Sequence, residues 1–177
     1  CGTGRILFPV AEAGIGVVGL DQAPSMLDVA REKLARLAPA VQGRVELVPG
    51  DMRQFSLGRR FSLVTIPYRA FLHLLTDEDQ RRALQCIREH LIDGGHLALN
   101  VFDPNLSMIH TRLGVTAGAL QLQKRFRHPR TGHDMVLWDT FRYDPERQVL
   151  TGAFLFEELH DDGSVRARFY APLTLRW

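Results

Sequence analysis

The sequence predicts an α/β fold in which helices flank a parallel sheet and an antiparallel β appendage follows. Short apolar β-type runs alternate with helical patterns in the first part of the chain. Proline and glycine residues separate these segments. From about residue 120, long runs of alternating polar and apolar residues replace this pattern. We therefore divide the chain into a core, residues 1–104, and a β-rich appendage of the same domain, residues 105–177.

The elements of the core follow from local patterns. Pro24 suits the first turn of a helix, Thr76 with Asp79 resembles a capping box, and Gly94-Gly95 ends the helix that begins there. Strands that alternate with helices need crossover connections, so the predicted sheet is parallel. The predicted strands are 15–20, 45–48, 61–66 and 96–102, and the predicted helices are 6–11, 24–37 and 76–91.

The appendage reads as an antiparallel meander with strands at 135–143, 149–159 and 165–175. We expect these strands to pack over one edge of the core sheet as a lid. An exposed accessory sheet invites self-association, so we predict a two-fold homodimer. Four aromatic side chains are expected to divide between lid and interface: Trp138, Phe141, Phe154 and Phe156.

Composition narrows the function classes. Of 177 residues, 45% are hydrophobic and 24% charged, which excludes a disordered chain, and no apolar run approaches the length of a membrane span. The net charge of +2 is spread along the chain and disfavours nucleic acid as a partner. The one basic run, residues 124–130, is interpreted as a solvated strand end.

Cysteine usage points to a reducing compartment. Two cysteines, Cys1 and Cys86, make neither a disulfide framework nor a zinc cluster, so we predict a cytoplasmic location. His128 and His133 are too loosely arranged for a metal pair, and no metal site is predicted.

The first residues have no signal-peptide pattern and no initiator Met. We expect that the sequence begins inside a longer reading frame.

Three features point to one ligand-binding edge. A glycine loop, Cys1 to Arg5, precedes a helix, so its backbone can approach a ligand closely. Asp21 ends the next strand, where a carboxylate could accept hydrogen bonds from both ribose hydroxyls. Gly50-Asp51-Met52 ends the strand after that. Ligands of parallel sheets bind at the carboxyl ends of strands, so these positions should converge.

These residues resemble the class I S-adenosylmethionine-dependent methyltransferases that act on small molecules. The resemblance covers residues 1–104 and implies a Rossmann-like parallel sheet with S-adenosylmethionine as the cofactor. Five motifs carry it in order: Cys1-Gly2-Thr3-Gly4, Asp21 to Leu27, Gly50-Asp51-Met52, Phe61 to Leu74, and Leu91-Ile92-Asp93-Gly94-Gly95.

The resemblance also implies roles for individual residues. The glycine loop would pack against the methionine and ribose parts of the cofactor, and Asp21 would hold the ribose hydroxyls. The implied cofactor-binding residues are Gly2, Thr3, Gly4, Asp21, Gln22, Met26, Asp51 and Met52, with Gln22 and Met26 bordering the adenine, Asp51 on its amino group and Met52 offering a backbone contact.

The implied reaction transfers the methyl group to a small-molecule acceptor, an amine or a hydroxyl. A methyl group on a sulfonium is already activated, so the protein mainly has to orient the nucleophile. The acceptor side follows the fourth motif, where Tyr68, Arg69 and His73 are candidate substrate contacts. No catalytic residue is assigned.

The sequence departs from the family at several points. The strand that precedes the glycine loop in the family is absent, and Ser62 replaces a common acidic residue. The family's final helix and strand pair are also not recognisable. We expect residues upstream, or a partner chain, to supply a strand between those ending at Asp21 and Ile66. The chain as given is then not a competent enzyme.

Two alternatives stay open. One is a non-catalytic fragment or binding module of methyltransferase fold. The other is a dehydrogenase domain of the NAD type, which is disfavoured because Leu7 stands where its glycine fingerprint needs a third glycine. The identity of the acceptor is not readable from the sequence.

Overall fold

A computed structural model of the chain describes residues 1–102, 106–111, 113 and 117–176. The chain divides into two compact units. The first comprises Cys1–Phe71 and Thr76–Asn100, and the second comprises Leu72–Leu75 and the residues from Val101 onward. The predicted boundary at residues 104–105 lies outside the described residues.

The first unit contains two pairs of parallel strands. Strand β1 (Val17–Asp21) pairs with β2 (Val45–Pro49), and β3 (Phe61–Ile66) pairs with β4 (Leu91–Leu99). Asp21 lies opposite Pro49 at the carboxyl end of the first pair. The predicted parallel pairing of alternating strands is confirmed.

This unit contains the helices α1 (Leu7–Glu12), α2 (Pro24–Leu34), α3 (Pro39–Gln42) and α4 (Asp77–Glu89), and a 3₁₀ turn at Ala70–His73 leads into the second unit. Helices α1, α2 and α4 begin within one residue of their predicted starts. Helix α2 ends before the predicted residue 37, and α3 was not predicted. The Thr76 hydroxyl accepts the Asp79 N–H at 3.1 Å and caps α4. None of the helices among the described residues is long and apolar enough to cross a membrane.

The end of α4 differs from the prediction. The helix ends at Glu89, and Gly94-Gly95 lie inside β4 rather than at the end of the helix. Strand β4 begins at Leu91, directly after His90 at the end of α4. The Phe61 N–H donates to the His90 carbonyl at 2.8 Å and so starts the pairing with β3 at this point. The glycines instead accompany a register shift in the β3–β4 pair, and Gly94 has a φ of +76°.

Each of the four parallel strands has one unpaired edge among the described residues. In this part of the chain β1 pairs only with β2, and β3 pairs only with β4. Leu63 in β3 is 53% exposed, although it lies in an apolar strand. The strand predicted to lie between those ending at Asp21 and Ile66 stays a prediction.

The connection between β2 and β3 is fastened to α4 by two buried side chains. Cys86 Sγ lies 3.4 Å from the Phe55 N and 3.3 Å from its carbonyl oxygen. His90 Nδ1 lies 2.8 Å from the Cys86 carbonyl, and His90 Nε2 accepts the Leu57 N–H at 3.2 Å. The His90 ring thus contacts a backbone carbonyl through one nitrogen and a backbone N–H through the other.

The second unit is an antiparallel meander preceded by a short helix. Helix α5 (Leu106–Thr111) was not predicted, whereas the meander was, with strand β5 as an addition. Lys124, Arg125 and Arg127 are exposed on β5, as the interpretation of a solvated strand requires. The strands lie in the order β5 (Gln121–Arg127), β6 (Asp134–Asp144), β7 (Val149–Leu159) and β8 (Val165–Arg176).

The aromatic side chains of the meander lie on both faces of the sheet. Phe141 is buried, and its ring meets the Phe154 ring edge-on at 5.2 Å. The register places Trp138 on the opposite face, where its Nε1–H donates to Glu157 at 2.8 Å. Their predicted division between lid and interface stays a prediction.

We predict that His90→Ala lowers the free energy of unfolding by about 1–3 kcal/mol, because two backbone groups in the interior lose their partners. The control is His96→Ala on the exposed part of β4, which should change stability by less than about 0.5 kcal/mol. Urea unfolding measures both. Equal effects of the two substitutions would contradict the assignment of His90 as an anchor.

Candidate functional site

The glycine loop turns sharply into α1. Gly2 and Gly4 have φ values of +57° and +82°, a conformation that favours glycine. A Cβ on Gly4 would lie 2.1 Å from the buried ring of Phe8, so packing requires glycine there. A Cβ on Gly2 would meet nothing within 4 Å. The first glycine therefore borders open space and the second is packed.

The Asp21 carboxylate joins this loop to the end of β1. Its Oδ2 accepts hydrogen bonds from the Gly2 N–H at 2.6 Å and from the Cys1 nitrogen at 3.0 Å, while Oδ1 accepts one from the Ala23 N–H at 3.0 Å. Cys1 also donates to the Leu20 carbonyl at 2.6 Å. A carboxylate has about four acceptor positions, and three of them are occupied here. One acceptor position, on Oδ1, is left for a ligand.

These donors keep the Asp21 carboxylate ionised. Burial raises its pKa, but hydrogen bonds from the N–H groups of Ala23 and Gly2 and from the Cys1 nitrogen outweigh that effect, so the pKa lies below the ordinary value of 3.8. The result is an anion held by backbone groups at the carboxyl end of a parallel strand.

A second contact fixes the glycine loop from α2. Lys33 Nζ donates to the Thr3 hydroxyl at 2.9 Å and to the Thr3 carbonyl at 3.2 Å. On the same helix, Met26 is 45% exposed, whereas the adjacent Leu27 is 1% exposed. Gln22 is also exposed, in the turn between β1 and α2. Neither Gln22 nor Met26 is a core residue.

The Asp51 carboxylate is already paired. Arg53 donates to both of its oxygens at 2.6–3.1 Å and reaches Asp79 at 3.2 Å. These Arg53 hydrogen bonds lower the pKa of Asp51 against the opposing effect of burial. The half-buried Met52 follows directly. Arg53 thus ties the turn after β2 to the first turn of α4.

The residues after β3 form a tight turn next to the glycine loop. Tyr68 is 53% exposed, and the Arg5 guanidinium lies 5.0 Å from the centroid of its ring. The Arg69 N–H donates to Asn100 Oδ1 at 3.1 Å. The structure therefore brings Tyr68 and the glycine loop together. His73 is exposed in the 3₁₀ turn and belongs to the second unit.

Four residues of this site were not found from the sequence: Arg5, Lys33, Arg53 and Asn100. Arg53 and Arg5 each lie within two residues of a motif, which is a signal that could have been used. Lys33 and Asn100 act across 30 and 31 positions, and a single sequence gives no sign of such contacts.

Comparison with known proteins assigns the family. Residues 1–95, more than half of the chain, match the sequence profile of the family described as methyltransferase domain. The chain belongs to this family. The resemblance to class I S-adenosylmethionine-dependent methyltransferases, drawn from the five motifs, is confirmed, and so is the fold class.

The relatives of this methyltransferase domain include two from Streptomyces. The chain is 34% identical over 104 residues to the cypemycin N-terminal methyltransferase of a Streptomyces species, covering 59% of this chain and 40% of that protein. It is 39% identical over 95 residues to the dTDP-3-amino-3,6-dideoxy-alpha-D-glucopyranose N,N-dimethyltransferase of Streptomyces fradiae, covering 54% of this chain and 34% of that protein.

The alignments with solved structures extend over nearly all of this chain. The CcbJ methyltransferase from Streptomyces caelestis aligns with a TM-score of 0.77 at 28% identity, over 99% of this chain and 63% of that one. CalS10, an amino pentose methyltransferase from Micromonospora echinaspora, aligns with a TM-score of 0.73 at 27% identity, over 99% and 65%. The chain thus spans less than two thirds of these proteins.

The two loop glycines of the methyltransferase domain give a matched test. Gly4→Ala should destabilise the protein by at least about 2 kcal/mol more than Gly2→Ala, because only the former drives a Cβ into Phe8, while both carry the left-handed strain of about 1–2 kcal/mol. Urea unfolding measures the difference. Equal losses would mean that Phe8 yields freely and that Gly4 is not required by packing.

The lowered pKa of Asp21 predicts a pH dependence. A carboxyl group whose folded pKa is below its unfolded value stabilises the fold above that unfolded value, about 3.8 here, and loses this contribution as the pH falls through the folded value. Asp21→Asn should therefore be destabilising at pH 5–7 and progressively less so below pH 3.8, measured by urea unfolding. A penalty that grows on acidification would reverse the assignment.

Proposed function

We propose that this protein transfers a methyl group from S-adenosylmethionine to a small-molecule amine or hydroxyl, with an amine favoured. The observation that carries the proposal is the Asp21 junction, which fixes the glycine loop beside the carboxyl end of β1. Ligands of parallel sheets bind at this end of the strands. Membership of the methyltransferase-domain family supports methyl transfer as the reaction.

The residues around Asp21 fit the proposed cofactor. The open space at Gly2 would admit its methionine and ribose parts, alongside Thr3. The remaining acceptor position on Asp21 Oδ1 would take one ribose hydroxyl. A hydrogen bond to the second ribose hydroxyl would require the Cys1 nitrogen to leave Oδ2. Gln22 and Met26 are exposed and free to border the adenine. When bound, S-adenosylmethionine supplies a methyl group already activated on sulfonium.

The adenine end would be formed by Asp51 and Met52. Because Arg53 covers both Asp51 oxygens, an amino group would have to share an oxygen with the guanidinium. The position of Arg53 then determines which lone pair of the Asp51 carboxylate is left for the adenine amino group.

The acceptor would approach from the side of Tyr68 and Arg69, while His73, which belongs to the second unit, stays a predicted substrate contact. An amine is favoured because the relatives' names describe an N-terminal methyltransferase, an N,N-dimethyltransferase and an amino pentose methyltransferase. A neutral amine is itself the nucleophile, so the chain has to orient it in line and exclude water rather than supply a strong base.

Three other expectations stay predictions. One is the role of residues 105–177 as a lid, which was expected from the sequence. The exposed Phe169 and Tyr170 on β8, which has a partner on one edge only among the described residues, support a homodimer. The cytoplasmic location rests on the cysteine usage.

Calorimetry with S-adenosylhomocysteine tests the cofactor site. Asp21→Ala should weaken binding by about 10- to 100-fold, because a charge-assisted hydrogen bond is worth about 1.5–3 kcal/mol. The control Asp28→Ala removes an exposed carboxylate of α2 that pairs with Arg31, and should leave the affinity unchanged. Unchanged affinity in Asp21→Ala would place the ribose elsewhere.

A methyl-transfer assay separates enzyme from binding module. The full-length protein is supplied with methyl-labelled S-adenosylmethionine and a panel of amino sugars and peptides with free α-amino groups. Transfer that Asp21→Ala reduces would support the proposal. Cofactor binding without transfer to any of them would favour the non-catalytic alternative.

A further inference from the structure

The turn that follows β3 has a costly backbone. Tyr68 and Arg69 have φ values of +56° and +61°, and the Ala70 N–H bonds back to the Pro67 carbonyl at 3.3 Å. Two consecutive left-handed residues in a turn closed this way are the pattern of a type I′ turn, which asparagine and glycine favour. Neither tyrosine nor arginine suits these positions.

Burial of the turn does not offset this strain. The Tyr68 side chain is 53% exposed and Arg69 is exposed as well, so the conformation does not serve to place either in the core. Left-handed residues without glycine persist where the surrounding structure holds them, and they concentrate at functional sites.

Two contacts hold the turn from different parts of the first unit. Asn100, directly after β4, accepts the Arg69 N–H through its Oδ1 at 3.1 Å. Arg5, directly after Gly4, places its guanidinium 5.0 Å from the centroid of the Tyr68 ring. The turn is therefore fixed at its backbone by the neighbouring strand and at its side chain by the glycine loop.

We propose that Asn100 is a positioning residue for methyl transfer: its side-chain carbonyl holds the strained turn so that Tyr68 faces the acceptor beside the glycine loop. This inference rests on the proposed function, because that function makes the glycine loop the place of the cofactor. Asn100 acts through the Arg69 backbone and need not contact the acceptor.

Three variants test the proposal. Asn100→Ala removes the acceptor of the Arg69 N–H, whereas Asn100→Asp keeps an oxygen that can accept it. Gln85→Ala is the control, because this amide bonds only to Glu89 on its own helix among the bonds described for it, at 2.9 Å. Each variant is compared with the unmodified protein in amide-resolved hydrogen exchange by NMR, calorimetry with S-adenosylhomocysteine, and kinetics with the amine from the panel that is methylated fastest.

In Asn100→Ala the Arg69 amide should exchange about fivefold faster, and KM for the amine should rise by about fivefold, since one hydrogen bond is worth on the order of 1 kcal/mol. Affinity for S-adenosylhomocysteine should stay within about twofold. Asn100→Asp should restore both values, and Gln85→Ala should change neither. A merely structural role would not separate KM from cofactor affinity.

Two results would overturn the inference. One is an Arg69 amide that exchanges equally in all variants, and the other is an unchanged KM in Asn100→Ala. Absence of S-adenosylhomocysteine binding or of methyl transfer in the unmodified protein would instead overturn the proposed function, while the exchange of Arg69 still decides whether Asn100 holds the turn.

Discussion

The hydrogen bonds to the Asp21 carboxylate are the interaction on which the site depends. Three nitrogens, from Cys1, Gly2 and Ala23, meet on one side chain within 3.0 Å. Asp21 thereby couples the glycine loop to the turn that starts α2. Without it, the N–H of the left-handed Gly2 would lose this hydrogen-bond partner.

The other contacts of the site extend this arrangement to neighbouring strands. Lys33 holds the loop from the side of α2, Arg53 links the turn after β2 to α4, and Asn100 links the ends of β3 and β4. Arg53 and Asn100 follow the carboxyl ends of β2 and β4. Lys33 lies on α2 and supports the glycine loop. Ligand-binding residues concentrate where parallel strands end, because loops there can vary without disturbing the sheet.

The sequence predicted those parts of the fold that local chemistry determines. The Pro24 start of α2, the Thr76 cap of α4 and the alternating pattern of the meander depend on neighbouring residues alone, and these predictions were correct. The end of α4 was misplaced, because Gly94-Gly95 is as suitable for a bulge within β4 as for a helix end. Helix α5 has no strong local signal.

For the site, the family motifs indicated Asp21, Gly2 and Gly4 by position, but not how they differ. The packing of Phe8 against Gly4 and the open space at Gly2 depend on the folded backbone. The pairing of Asp51 with Arg53 is local and could have been suspected, whereas the Lys33–Thr3 and Asn100–Arg69 contacts join distant parts of the chain.

A crystal structure of the protein with bound S-adenosylhomocysteine tests the central claim most directly. The account predicts a ribose hydroxyl within about 3.2 Å of Asp21 Oδ1, with the Gly2 and Ala23 N–H groups still bonded to the same carboxylate. A ribose held by a different carboxylate, with Asp21 serving only the backbone, would contradict it.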